Sequence, residues 1–261
     1  MSFLYNNQEH GHESTDEDYS SYGPKHGRHR AGKPEGTCNL FPGPEYLHEK
    51  AFCGVDNLEI IGLEGFMHVR CPWASTMPCS CGRHCLHLDS LVVAVDGACP
   101  GNGSDSATKS ACGVFFGPNL AENLAFRVPD TPGYSHTNQR AELSAAIAAI
   151  RASLTYIFYG GQVNCDGCPT PCTVLHLVIK SDSAYLVNGM SAHVEKWRKN
   201  GWRTTKNTEV KNQDLWTQLD NLVQFISAHA TIDFWHVRRD QNKDADSLAN
   251  QGLEKFIDLF A

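Results

Sequence analysis

The chain lacks any uninterrupted run of 18 or more apolar residues, so no membrane-spanning helix is expected. Its first residues, MSFLYNNQEHGHESTDEDYSS, hold neither an apolar h-region nor an Arg-rich amphipathic pattern. That argues against a secretory signal and a mitochondrial presequence, and the expected setting is intracellular, nucleus or cytoplasm. An excess of positive charge is missing too: the formal net charge is −7. The 11 cysteines are an odd number with no export signal beside them, so free thiols or metal ligation are better expectations than a disulfide framework. Nothing in the sequence marks an obligate protein partner, and a monomer is expected.

The acidic total hides an uneven distribution. Residues 88–261 hold 15 Lys and Arg against 18 Asp and Glu. Within residues 193–211 the basic side chains Lys196, Arg198, Lys199, Arg203, Lys206 and Lys211 face only Glu195 and Glu209. Local fields, rather than the sum over the chain, steer a polyanion, so this stretch is a candidate nucleic-acid contact.

Three regions are expected. Residues 1–36 are poor in apolar side chains and rich in His, Ser, Gly, Glu and Asp, which predicts a disordered polar tail. Residues 37–87 contain Cys38, Cys53, Cys71, Cys79, Cys81 and Cys85. They are broken by Gly and Pro, with one candidate strand at LEII (residues 58–61), and a largely irregular extension is expected. From residue 88 onward the pattern is regular. Strands are predicted at SLVVAVD (90–96), ACGVFF (111–116), NLAFRV (123–128), LHLVIKS (175–181) and TIDFWHV (231–237). A long helix is predicted from Asn138 to about Tyr159, where Leu143, Ile147, Ile150 and Leu154 keep helical spacing. Further helices are predicted over 183–199, 212–227 and 243–256. The order β-β-β-α-β-α-α-β-α predicts an α/β fold, a five-stranded mixed sheet flanked by helices.

Four acids fall where predicted strands end or helices begin. Asp96 and Asp182 close strands, Glu142 lies in the first turn of the long helix, and Asp246 lies in the first turn of the last one. Strand ends and helix starts both lie at the rim of a sheet, where side chains converge on one cleft. Clustered carboxylates raise each other's pKa unless cations neutralise them. Hard oxygen ligands suit two Mg²⁺ or Mn²⁺ ions, which stabilise the attacking and leaving oxygens of a phosphodiester. Taken singly, an acid at a helix start is more often a cap, and Asp244 is read that way.

The flanking residues make the pattern specific. VAVDGACPGNG (93–103), TNQRAEL (137–143), KSDS (180–183), WRKNGW (197–202) with VKNQDLW (210–216), and NKDADSLA (242–249) resemble, in order, the motifs of type 1 ribonuclease H. The similarity spans roughly residues 88–256 and implies the ribonuclease H-like fold. It also implies an endoribonuclease that cuts the RNA strand of RNA–DNA hybrids, leaving 5′-phosphate and 3′-hydroxyl ends. Asp96, Glu142, Asp182 and Asp246 would hold the two ions. Asn102 and Gln139, beside Asn138, would read the RNA strand through its 2′-hydroxyls, the group that separates RNA from DNA. Thr137 and Asn212 would grip a DNA phosphate, with Ser135 standing where an Arg often completes that grip. Lys196, Trp197, Lys199 and Trp202 would lie along the DNA backbone, the two tryptophans also serving the core.

The chain departs from the family in two ways. Between the last strand and last helix the residues RRDQN (238–242) carry no loop histidine, and His236 falls inside the strand pattern, where a structural role is expected. The N-terminal region shows no match to the small hybrid-binding module of many eukaryotic members. Two cysteine clusters remain outside the resemblance: Cys79, Cys81 and Cys85 with His87, and Cys165, Cys168 and Cys172. Their spacing is close to that of a structural zinc site without completing a standard set, and free loop thiols are the alternative. Cys99 and Cys112 are expected to pack as small apolar groups. Two other functional readings stay open at this point: a binder of the same fold that does not cut, and a piece of a retroelement polyprotein.

Overall fold

The structure, a computed structural model, describes residues 39–40, 59–62, 64–70, 86–87, 90–104, 106–159 and 173–254. The predicted polar tail lies outside them. Nine strands and five α-helices are found among the described residues, in chain order. Strands β1 (Asn39–Leu40), β2 (Glu59–Ile61), β3 (Met67–Arg70) and β4 (Leu86–His87) precede the predicted domain. Then come β5 (Ser90–Ala98), β6 (Ala111–Phe115), β7 (Leu124–Arg127), helix α1 (Asn138–Phe158) and β8 (His176–Ser181). Helix α2 (Ala184–Asn188) continues through a π-helical turn, Gly189–His193, into α3 (Val194–Lys199). Helix α4 (Gln213–Ile226), β9 (Thr231–His236) and α5 (Lys243–Gly252) complete the chain.

The predicted five-stranded mixed sheet is present. Strands β5, β6 and β7 pair antiparallel, while β5, β8 and β9 pair parallel. The N-terminal strand β1 adds a sixth, parallel to β9, giving the order β1-β9-β8-β5-β6-β7. Strand periodicity sorts the side chains. Leu91, Val93, Val95, Leu177, Ile179 and Phe234 belong to the main core, together with Leu143, Ile147 and Ile150 of α1 and Trp216, Leu219 and Val223 of α4. Helix α1 has the length and hydropathy of a bilayer span, but its apolar side chains serve this core.

On the other face Val92, Val178, Trp235 and Val237 form a second, smaller apolar cluster. Met67 and Val69 of β3 pack onto it, from a three-stranded antiparallel sheet in the order β2-β3-β4. The expected N-terminal extension thus contains these short strands among its described residues. The candidate strand at LEII appears as β2, while MHVR, with His68 fully buried and Met67 and Val69 partly buried, is too short for its periodicity to stand out. Two further contacts tie this sheet down. Phe66 lies edge-on to Tyr156 with ring centroids 5.1 Å apart, and His68, fully buried, places Nδ1 2.6 Å from the Ser90 carbonyl oxygen. The other ring nitrogen of His68 meets Glu64.

Candidate active site and nucleic-acid contacts

Local geometry brings the four acids to one rim. Asp96 lies on β5, two residues before its end, and pairs across to Gly113 of β6. Neither Gly97 nor Gly113 has room for a side chain. A Cβ on Gly97 would collide with the backbone nitrogen of Glu142, and one on Gly113 with the Ala245 carbonyl. These two close approaches draw α1 and α5 against the strands and carry Glu142 and Asp246 toward Asp96. Asp182 follows β8 directly. Glu142 sits in the second turn of α1 rather than the first, because the helix begins at Asn138. Its N-cap is Thr137, whose hydroxyl accepts from the Arg140 backbone N–H at 3.2 Å.

Each carboxylate has its own support. Glu142 accepts from the Ser183 hydroxyl at 2.5 Å and from the Asn138 amide at 3.5 Å. Asn242, 2% exposed, donates through one amide nitrogen to Asp182 at 2.9 Å and to the Val95 carbonyl at 3.0 Å. It thereby ties the start of α5 to β5 and to the end of β8. Asp246 accepts from Asn250 at 3.2 Å and lies 3.5 Å from the Arg239 guanidinium. The electrostatic consequence falls on Asp96, 8% exposed, whose pKa is raised to about 7. Burial is the largest cause, followed by the charge of Asp182; Asp246 and Glu142 add to it, while the Gly97 backbone hydrogen bond opposes it. Glu142 is also pushed up, first by burial and then by Asp182, against the hydrogen bond from Ser183.

The four carboxylates thus share one field without closing into a cage. Among the described residues no group of three or more His, Cys, Asp or Glu is drawn tightly enough to hold a metal by itself. The donor set, all hard carboxylate oxygens, fits divalent Mg²⁺ or Mn²⁺. Asp244 does not act as a side-chain cap. The N-cap of α5 is Asn242, which makes no side-chain capping bond; its amide nitrogen donates to Asp182 and Val95, and its side-chain oxygen has no partner.

The expected nucleic-acid contacts fall on two neighbouring surfaces. Asn102, in the turn after β5, accepts from the Asn138 backbone N–H at 3.0 Å, which places it beside exposed Gln139 at the start of α1. Asn212 precedes α4 in the left-handed region (φ 58°). Its side-chain oxygen lies 3.4 Å from the Arg140 guanidinium, and its amide donates to the Tyr185 hydroxyl at 3.2 Å. Arg140 thus stands between Thr137 and Asn212, although Ser135 offers no cation. Its charge is balanced by a two-bond contact with Asp214 at 2.8 and 3.0 Å. Burial alone would raise the Asp214 pKa; the hydrogen bonds and charge of Arg140 outweigh it and bring the pKa below its usual value.

Lys196 is exposed on α3, and Lys199 is held by Glu195 at 2.6 Å on the surface. Arg198 is taken out of the expected basic contact set. It donates to Asp220, 3% exposed, at 2.9 and 3.1 Å, and so serves packing of α3 on α4. Trp197 and Trp202 are partly buried against the core, and the Trp197 ring meets Trp216 at 5.4 Å. His236, expected to be structural inside the strand, is the exposed last residue of β9, with Nε2 3.3 Å from the Asp182 carbonyl oxygen. Cys112 is fully buried in the core, its thiol pushed well up by burial, and Cys99 is buried just past β5. The zinc expectation for Cys79, Cys81, Cys85, Cys165, Cys168 and Cys172 lies outside the described residues.

The model of the RNase H family matches residues 89–254, more than half of the chain. The chain belongs to the ribonuclease H family. It is 31% identical to ribonuclease H1 of Mus musculus over 174 residues, covering 65% of this chain and 52% of the mouse protein. Against ribonuclease H of Acetivibrio thermocellus it is 35% identical over 169 residues, covering 64% of this chain and 97% of that one. The chain spans about half the length of the mammalian relatives it matches. Among solved structures, RNase H1 of the archaeon Halobacterium salinarum is 21% identical with a TM-score of 0.38, covering 63% of this chain and 98% of that chain. The type 1 assignment rests on the ordered motifs, the strand order and the sequence relatives together.

Proposed function

We propose that this chain is an endoribonuclease that hydrolyses the RNA strand of RNA–DNA hybrids and leaves 5′-phosphate and 3′-hydroxyl ends. The observation that carries the reading is the meeting of Asp96, Glu142, Asp182 and Asp246 at one rim, where burial first and then the charges of the other three raise Asp96 to about 7. Such a set of acids calls for counter-cations, and Asp96, Glu142, Asp182 and Asp246 would hold two of them. When bound, divalent ions supply an activated water and stabilise the leaving oxygen of the phosphodiester. The residues of the chain perform the remaining work. Ser183 and Asn138 orient Glu142, and Asn242 fixes Asp182 relative to β5. Asn102, Asn138 and Gln139 present amides to ribose 2′-hydroxyls. Thr137 and Asn212, with Lys196, Trp197, Lys199 and Trp202, hold the DNA strand by its backbone. The reading includes an intracellular setting.

The test is cleavage of end-labelled RNA in a hybrid with Mg²⁺ or Mn²⁺. Hybrid RNA is expected to be cut while single-stranded RNA and duplex DNA stay intact. Equal cutting of all three substrates removes the hybrid specificity. Tight hybrid binding without cutting in either metal removes the nuclease and leaves a binding protein.

A further inference from the structure

The outer face of β8 carries Val178 and Lys180 at alternate positions, and Asp182 follows the strand's last residue, Ser181. Lys180 pairs in register with Ala94 of β5, itself two residues before Asp96. The Lys180 side chain therefore belongs to the same face as the Asp96 carboxylate, one pleat repeat behind it, about 6.6 Å along the strand, and Asp182 lies two residues further on in the chain. A lysine stem spans that distance, so Asp96 and Asp182 are within reach of its charge. Lys180 is 7% exposed, too deep to be neutralised by water. In the structure the ammonium turns the other way, donating to Glu59 of β2 at 2.5 Å, with the Trp235 ring centroid 5.5 Å from Nζ.

Room for the alternative is present. A cavity of about 390 Å³ runs beside the ion pair, between β2 and β3 on one side and the start of α5 on the other. Glu59, Lys180, Asn242, Asp244, Met67 and Phe115 are among its walls. Asn242, whose amide nitrogen already serves Asp182, has a buried side-chain oxygen with no partner. A freed ammonium has space to move and an acceptor to meet. A lone buried cation also seeks the nearest anions strongly.

We propose that Glu59 withholds the Lys180 ammonium from the carboxylate cluster, so that the N-terminal strand β2 sets how readily the site takes divalent cations. This rests on the nuclease reading above and assigns the N-terminal segment a part in it. With Glu59 absent, Lys180 competes with the metal for Asp96 and Asp182.

The experiment measures Mn²⁺ binding to the full chain by calorimetry, without nucleic acid, and the Mg²⁺ concentration for half-maximal hybrid cleavage. Glu59→Gln keeps the shape and removes the charge. It is expected to weaken Mn²⁺ binding about tenfold and to raise the Mg²⁺ requirement by a similar factor. The double variant Glu59→Gln with Lys180→Gln is expected to return both values to within about twofold of the original. Lys180→Gln alone should bind Mn²⁺ at least as well as the original chain. Unchanged binding in Glu59→Gln overturns the proposal. So does a double variant as weak as Glu59→Gln, since the defect would then come from lost packing. If the original chain neither binds Mn²⁺ nor cuts hybrid, the nuclease reading itself falls. If it does both and Glu59→Gln behaves the same, only this proposal falls.

Discussion

On the inner face of the sheet Leu91, Val93, Leu177, Ile179 and Phe234 are sealed in the core that α1 and α4 share. On the outer face the same strands pass from Val92 and Val178 to Lys180, Asp96 and Asp182. Neighbouring residues along one strand thus live in opposite environments, because the strand repeat is two. The inner face gains from every apolar atom it removes from water. The outer face is apolar only where β3 covers it, and becomes charged toward the rim where α5 begins. Stability and chemistry are divided between faces, so each should fail in its own way.

Five expected outcomes probe that division, from the largest effect to the smallest. Asp96→Asn on the outer face should lower hybrid cleavage by about a thousandfold or more while the melting transition survives. Retained activity would remove Asp96 from the site. Phe234→Ala on the inner face, fully buried in the original, should cost about 3–5 kcal/mol in denaturant unfolding. The kcat of the fraction still folded at low temperature should change little. Gly97→Ala tests the contact joining strand to helix. Its Cβ meets the Glu142 backbone, so a loss of about 1–3 kcal/mol should come together with a fall in kcat.

The fourth outcome concerns pH. An acid whose pKa is raised by folding favours the folded state only while protonated. With Asp96 moved from 3.8 to about 7, its contribution is intact below about pH 4 and is lost as pH rises through 7. In chelator, stability should therefore decline between pH 4 and 8 by on the order of 4 kcal/mol. Asp96→Asn should flatten that part of the profile, and an unchanged slope in the variant would assign it to another group. The smallest effect belongs to Lys196→Ala on α3. Stability should hold, while hybrid affinity weakens and its salt dependence becomes shallower by about one ion.

Much of this division was legible in the chain itself. The apolar runs SLVVAVD and LHLVIKS, the first ending in an acid and the second followed at once by one, announced buried strands, and the motif flanks singled out Asp96, Glu142, Asp182 and Asp246 from the other acids. Short strands β1 to β4 were mostly missed, since two to four residues give periodicity too few repeats to stand out. LEII was the exception and became β2. Arg198 read as a phosphate contact because its sequence neighbours are basic, but a buried Asp220, 22 positions away, takes it. His236 read as structural because it falls inside the predicted strand TIDFWHV, yet the strand ends there and the ring is exposed. Asp244 read as a cap, but only coordinates show that Asn242 has turned its amide inward to Asp182.

By itself the sequence determined the strand and helix order, the family, and which four acids belong together, because periodicity and motif are local properties of the chain. The tertiary structure alone decided that Gly97 and Gly113 are the points where helices close on strands. It also decided that Asp96 shares the field of three other acids, and that Glu59, 121 residues from Lys180, holds its charge. The physical reason is distance: Coulomb and contact energies depend on separation in space, which chain position does not encode.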